Sequence, residues 1–456
     1  MFESIELKNF KGFKEAQIDI GDLTILTGAN SSGKSALTNS ILSILQSDIF
    51  RFELSINGDY VNLGDYADII NNRDTSKDLT LAYTLELIGM SFKTTTVWSF
   101  DKLRRLPKMD SISILSDCLK LTATPQGNKG FQVKIAYDPQ LDNLLKAEKS
   151  AESKGSNFEK TRNLYLTTYG KRKDFNLDTF NEKIEKSWQY EGFFENLENE
   201  ALTFSLLTKI PYQVFQLIAL SHFGLDNITK KTSFIGSLRN GPERTYYENS
   251  KSEIKVGPAG ENFSDIIILW DSINDKKLDE LKEITKSLGI AEDIKANRLT
   301  GGRYEIQIKP QKHSPFSSMS DVGFGVSQFL PIIISDIDKG EGSSLFIAQP
   351  ETHLHPSVQA DFCDYIIEQI NSRKKSYFIE THSEYFLNRL RLNIVNNKIS
   401  TDKVKVYYLI NKTNDTEIHE IKFQKNGAIE NAPEEFFKTY LMDTMDIALN
   451  AINNEE

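Results

Sequence analysis

The chain has 456 residues, with 54 Lys+Arg against 64 Asp+Glu and a formal net charge of −10. Hydrophobic residues make up 39%, and 28 Phe and 17 Tyr supply core material, which excludes a disordered chain and a small stapled scaffold. Two distant cysteines, Cys118 and Cys363, exclude a disulfide framework or a Cys-rich zinc site. No apolar run approaches the roughly 18 residues of a membrane span. The expectation is a cytoplasmic, reduced, soluble protein without membrane contact. Its acidic balance argues against a surface coated in nucleic acid.

In chain order, Ile5, Leu7 and Phe10 alternate with polar residues as a strand does, and a second strand is expected over 16–20. A third, over 23–26, is short, apolar and runs into glycine. Residues 34–49 read as a helix, with Leu37, Ile41, Ile44 and Leu45 on one face. Strand-like pieces follow from about 80 to 135, including 79–87 and 131–137, with a turn at Gln126-Gly127-Asn128. Residues 141–230 read as a charged helical insertion without strand alternation. Ten basic and ten acidic residues between 146 and 198 give it no one-sided basic face. Two helices are expected over 264–288 and a strand over 305–308. An α/β alternation returns from 321: helix 329–337, strands 345–347 and 377–379, strands 405–409 and 418–423, and a terminal helix over 434–453.

Gly28-Ala29-Asn30-Ser31-Ser32-Gly33-Lys34-Ser35 fits G-x-x-x-x-G-K-[ST], between an apolar strand and an amphipathic helix. Glycines let the backbone wrap a phosphate with its N–H groups inward, and Lys34 brings charge to the β- and γ-phosphates. Ser35 offers a hydroxyl to Mg²⁺, and the helix that follows adds the positive end of its dipole. Gly28, Asn30, Ser31, Ser32, Gly33, Lys34, Ser35 and Ala36 are therefore the expected nucleotide-binding residues. This loop alone leaves kinases, GTPases, helicases and transporters open. A second phosphate-binding helix start is expected at Gly323-Phe324-Gly325-Val326-Ser327-Gln328. His353 and His355 have a metal-like spacing but no third ligand, so a structural or dimer-seam role is favoured over zinc. Arg239 and Arg244 divide evenly between surface charge or a local salt bridge and contact with a phosphate or partner subunit. Lys102, Arg104, Arg105 and Lys108 read as a solvated loop.

The chain resembles the ABC-type ATPases of the RecF/SMC/OLD group, and especially standalone ATPases of phage-defence systems of the Septu and PARIS types. The resemblance rests on Ile5-Glu6-Leu7-Lys8-Asn9-Phe10-Lys11-Gly12-Phe13, the phosphate loop, Gly236-Ser237-Leu238-Arg239-Asn240-Gly241-Pro242-Glu243-Arg244, Gln349-Pro350-Glu351-Thr352-His353-Leu354-His355-Pro356 and Glu380-Thr381-His382-Ser383. It implies an α/β P-loop ATPase head with an antiparallel β layer and a helical insertion. The expected division is 1–140 with the P-loop, 141–230 the insertion, and 231–456 the rest of the head. It also implies ATP and Mg²⁺ as cofactors, with Ser35 on the metal. Gly325, Ser327 and Gln328 would lie in a signature loop that reads ATP held by an opposite head, Gln349 and Glu351 in the catalytic loop, and His382 as the switch histidine. Two departures stand out. The group places acids where this chain has Ala348 and Gln349, so a natural or engineered impairment of hydrolysis at Ala348 is expected. The implied partners are a second copy, joined head to head, and a separate effector, a nuclease or toxin, because the residues after His382 leave no room for a fused nuclease. Direct DNA binding in repair or chromosome structuring is the alternative use. A third is an ATP-locked scaffold without catalysis.

Overall fold

In the computed structural model the described residues are 2–87, 89–126, 130–138, 184–190, 212–247, 254–413, 415–433 and 436. They form two compact units, each discontinuous in sequence.

The first unit comprises Met1–Ile18, Ser43–Ile56 and Leu63–Asn227. Its sheet has eight strands: β1 (Phe2–Phe10), β2 (Phe13–Asp19), β4 (Leu79–Leu87), β5 (Met90–Phe100), β6 (Pro107–Leu115), β7 (Leu119–Pro125), β8 (Phe131–Tyr137) and β9 (Ile184–Tyr190). Their order is β2-β1-β4-β5-β6-β7-β8-β9, and pairing from β1 through β9 is antiparallel. Alternation decides which face is covered. On β5, Met90, Phe92, Thr94, Thr96 and Trp98 are buried while Ser91 between them is exposed. The buried Thr96 donates to Leu81 O at 3.1 Å and accepts from Trp98 Nε1 at 2.8 Å, so its hydroxyl is satisfied. A short helix, α2 (Tyr66–Ile69), starts with a capping box between Asp65 and Asp68. Helix α3 (Tyr212–Lys231) packs closely at Gly224, where a Cβ would meet Leu87 Cδ1 at 2.7 Å.

The stretch 141–230, expected to be mostly helical and without strand alternation, contains a strand. β9 pairs with β8 at the sheet edge, and among the described residues of that stretch α3 is helical. The rest of that stretch, the terminal helix expected over 434–453 and part of the turn at 126–128 lie outside the described residues.

The second unit comprises Asp19–Leu42, Asn57–Asn62 and Ile228–Glu456. Its main sheet adds β3 (Leu23–Gly28), β10 (Thr232–Ile235), β15 (Ser344–Ala348), β16 (Ser376–Glu380), β17 (Val404–Lys412), β18 (Asp415–Phe423) and β19 (Ile429–Glu430). The order is β10-β15-β16-β3-β17-β18-β19, parallel through β17 and antiparallel beyond it. Every residue of β3 is buried, as a central strand covered on both faces requires. A smaller antiparallel sheet joins β11 (Tyr246–Tyr247), β12 (Asp293–Arg298), β13 (Arg303–Lys309) and β14 (Ser317–Ser318). The helices are α4 (Phe263–Ser272), α5 (Lys276–Ser287), α6 (Phe324–Lys339), α7 (Pro356–Arg373) and α8 (Glu384–Val395), while α1 (Lys34–Leu45) begins here and ends earlier than expected. Ile25, Ile347 and Ile379 from the strands pack in one core with Phe329, Ile333, Phe362, Ile366 and Leu390 from the helices. Among the described residues no helix is long and apolar enough to cross a membrane.

Candidate nucleotide site

The phosphate loop joins β3 to α1, at the carboxyl end of the parallel strands, where open α/β sheets bind ligands. Gly28 has φ +133° and pairs in register with Leu409 on β17, and a Cβ there would overlap the Leu409 carbonyl. Ser31 at φ +58° and Gly33 at φ +98° complete the wrap. Ala29, Asn30, Ser31 and Ser35 are exposed, Ala36 is half-buried, and Ser32 and Lys34 are buried. Lys34 Nζ donates to Gly28 O at 3.0 Å, Ala29 O at 2.7 Å and Ser32 Oγ at 3.3 Å, so the ammonium lies across the loop's mouth. Burial pulls its pKa down, and Glu380 and Glu351 pull it back up.

Three acidic and amide groups converge on this loop from the neighbouring strand ends. Glu380, the last residue of β16, is 3% exposed and accepts from Ser35 Oγ at 2.7 Å. The Thr38 hydroxyl also bonds it. Burial holds its carboxyl above the ordinary range, against the pull of Thr38, Ser35 and Lys34. Glu351 accepts from Thr381 Oγ1 at 2.8 Å and from the His382 backbone N–H at 2.7 Å, which ties the two loops together. Gln349 leaves β15 at φ +49°, and its N–H donates to Glu380 O at 2.7 Å. His382 is exposed beside the phosphate loop. Burial of part of its ring and the charge of Lys34 depress its pKa, against Glu351 and a hydrogen bond to the Gly28 backbone. Gly28, Lys34, Ser35, Gln349, Glu351 and His382 are thus brought together at one set of strand ends.

The signature segment is arranged differently from its sequence expectation. Helix α6 starts at Phe324, so Gly325, Ser327 and Gln328 lie in its first turns. Ser327 is buried and its hydroxyl donates to Phe324 O at 2.8 Å, while the buried Gln328 Nε2 donates to Asn240 O at 3.1 Å. Both side chains are spent on their own chain, and Gly323 and Phe324 are the exposed residues at that helix start. Gly325 packs on the loop after β15, where a Cβ would meet His353 O at 2.6 Å.

Two arginines resolve in opposite ways. Arg244 makes a two-pronged, exposed ion pair with Asp321 at 2.6 and 3.1 Å, a local salt bridge. Arg239 is 9% exposed and fits neither sequence expectation. Its guanidinium donates to Gly236 O, Gln328 O, Ala348 O and Gln349 O, clamping the signature helix to the end of β15. Burial lowers its pKa to about 10, with Glu351 opposing. Nothing in the local sequence marks this role, because the four acceptors are backbone carbonyls. His355 caps α7, its Nδ1 accepting from Ser357 N at 3.3 Å, which accounts for it without a metal.

Among the described residues no cluster of three or more His, Cys, Asp or Glu could hold a metal ion alone. Mg²⁺ needs no such cage when phosphates and waters supply most ligands. The Ser35 hydroxyl beside the Glu380 carboxylate is a hard-oxygen pair that suits it.

Among solved structures, the chain is similar to the SMC head domain from Thermotoga maritima, at 10% identity over 92% of this chain and 99% of that one, with a TM-score of 0.39. It is also similar to the Smc head domain with an extended coiled coil, bound to the C-terminal domain of ScpA, derived from Pyrococcus furiosus. There the identity is 13%, coverage is 99% of both chains and the TM-score is 0.40. At those scores the likeness carries no argument about activity or partners. No curated protein matches the chain. Residues 1–387 match the AAA ATPase domain family AAA_15, and with the P-loop and its strand-end acids in place the chain belongs to that family of P-loop ATPases.

Proposed function

We propose that this ATPase is a nucleotide-controlled switch, in which MgATP joins two copies head to head and closure or slow hydrolysis governs a separate effector, a nuclease or toxin, in antiphage defence. The observation that carries the reading is the convergence of Lys34, Glu351 and His382 at one set of strand ends. Gly28, Asn30, Ser31, Ser32, Gly33 and Ala36 line the phosphate path, Lys34 offsets phosphate charge, and Ser35 meets the metal. Mg²⁺, when bound, neutralises charge on the β- and γ-phosphates. His382, whose pKa burial and the Lys34 charge depress, can donate from one ring nitrogen toward a γ-phosphate. Gln349 can orient a water but cannot accept its proton, so turnover is slow. Both Glu351 oxygens are engaged, so it holds the His382 loop in place. Because Ser327 and Gln328 face inward, contact with the opposite head's nucleotide falls to the backbone at Gly323, Phe324 and Gly325. The proposed domain division of 1–140, 141–230 and 231–456 leaves the insertion for partner contact.

The test is sizing of the full chain with and without ATP, beside a phosphate-release assay. A chain that stays monomeric with ATP bound overturns the dimer switch. G325A, which pushes on the His353 carbonyl, should keep ATP binding and lose ATP-dependent dimerisation.

A further inference from the structure

We propose that Glu380 holds the Mg²⁺ of bound ATP through a water, doing from β16 what Ala348 cannot do from β15. The inference rests on the MgATP reading above and extends it by one residue. It also moves the expected impairment: slow turnover would follow from Gln349, with the metal still held.

The first support is register. Ala348 and Glu380 are directly paired residues on parallel neighbours. Side chains in register on adjacent parallel strands project to the same face, with strands about 4.8 Å apart. An acid moved one strand over therefore still faces the phosphate loop. The second support is contact. Glu380 already accepts from Ser35 Oγ at 2.7 Å, and Ser35 is the hydroxyl that the P-loop offers to the metal. A residue one bond beyond a metal ligand is well placed to bind a metal-held water.

The third support is what Glu380 lacks. It is a carboxylate 3% exposed, yet no Lys or Arg among the described residues forms an ion pair with it. Its bonds are to two hydroxyls, Ser35 and Thr38. With two hydroxyls in contact and the Lys34 charge acting only from beyond ion-pair distance, burying this carboxylate is costly, and a divalent cation nearby compensates for it. Each β15 alternative fails: Ala348 has no donor, and the carbonyl of Ala348 is taken by Arg239.

The experiment titrates a fluorescent ATP analogue into the full chain, in EDTA and then in Mg²⁺, and follows Mn²⁺ in the ATP complex by electron paramagnetic resonance. E380Q is near-isosteric and still accepts from Ser35. It should bind the analogue in EDTA as the parent does, lose about 10-fold or more of the Mg²⁺-dependent gain, and lose the bound Mn²⁺ signal. A348E/E380Q should recover most of that gain. An E380Q protein with the parent's full Mg²⁺ gain overturns the proposal. A348E alone keeps Glu380 and guards against a misfolded E380Q. It should leave the Mg²⁺ gain within about threefold of the parent, whereas a rise of about 10-fold would show that the acid was missing and overturn the proposal. Failure of the parent chain to bind the analogue in either condition would instead strike at the MgATP reading itself.

Discussion

Strand β16 has a buried carboxylate at each end, and the two are furnished in opposite ways. At its start, Asp336 of α6 pairs with Lys375 Nζ at 3.0 Å and accepts from Tyr365 OH at 2.5 Å and Tyr377 OH at 2.9 Å. Lys375 also donates to Asp336 O at 2.6 Å. Burial, with Asp336 beside them, holds both tyrosine hydroxyls well above their ordinary pKa, so they stay protonated donors. At the other end Glu380 is bonded by hydroxyls, no Lys or Arg among the described residues forms an ion pair with it, and Lys34 acts on it only from farther off. A network closed on itself fixes helix to strand, whereas one left short of positive charge is arranged for something that arrives.

The sharpest way to break that contrast is D336A. It strips the partner from a buried lysine and two buried hydroxyls, and should cost about 3–5 kcal/mol, read as a lower denaturant midpoint. A loss below about 1 kcal/mol would mean that the closed network is not structural. K34M should do the reverse, leaving the unfolding midpoint near the parent's while nucleotide affinity falls about 100-fold in a binding titration. E380Q sharpens the comparison from the stability side. Because burial raises the Glu380 pKa, the folded chain holds that proton longer than the unfolded chain does. Its ionisation therefore costs stability as pH rises past the unfolded value of 4.5. E380Q should be more stable than the parent by about 1 kcal/mol at neutral pH, with the gain vanishing in acid.

The smallest effect tests a carboxylate of the ordinary kind. Asp364 is partly buried, which pushes its pKa up, but hydrogen bonds from Arg389 and Asn393 outweigh burial and hold it below its usual value. Here the charge stabilises, fully above the unfolded pKa and progressively less as pH falls through the folded one. D364N should cost about 0.5–1 kcal/mol at neutral pH and nothing in strong acid, measured by thermal unfolding across pH.

Those differences explain what could be read from the chain. The phosphate loop was legible because its parts are contiguous and its spacing is dictated by one phosphate. The apolar strands 23–26, 345–347 and 377–379 were legible from burial on both faces. β9 was missed because charged residues surround it, although Ile184, Trp188 and Tyr190 share one parity. The buried inward turn of Ser327 and Gln328 could not be read, since it depends on where α6 begins. The pairing of Ala348 with Glu380 is a register between strands separated by a whole helix, and no local pattern encodes it.

The interrupted path of the second unit has a consequence for how the protein is made. β3 lies between β16 and β17, with Leu23 paired to Tyr377 on one side and Val404 on the other. A nascent chain therefore exposes β3, a strand buried at every residue in the folded protein, and its phosphate loop long before β16 and β17 emerge. Until then that strand has two open edges, which is the state in which chains aggregate. ATP has no folded pocket to bind before β16 and β17 dock, so the nucleotide can act as a late clamp on folding, rewarding only chains that have been synthesised through β17.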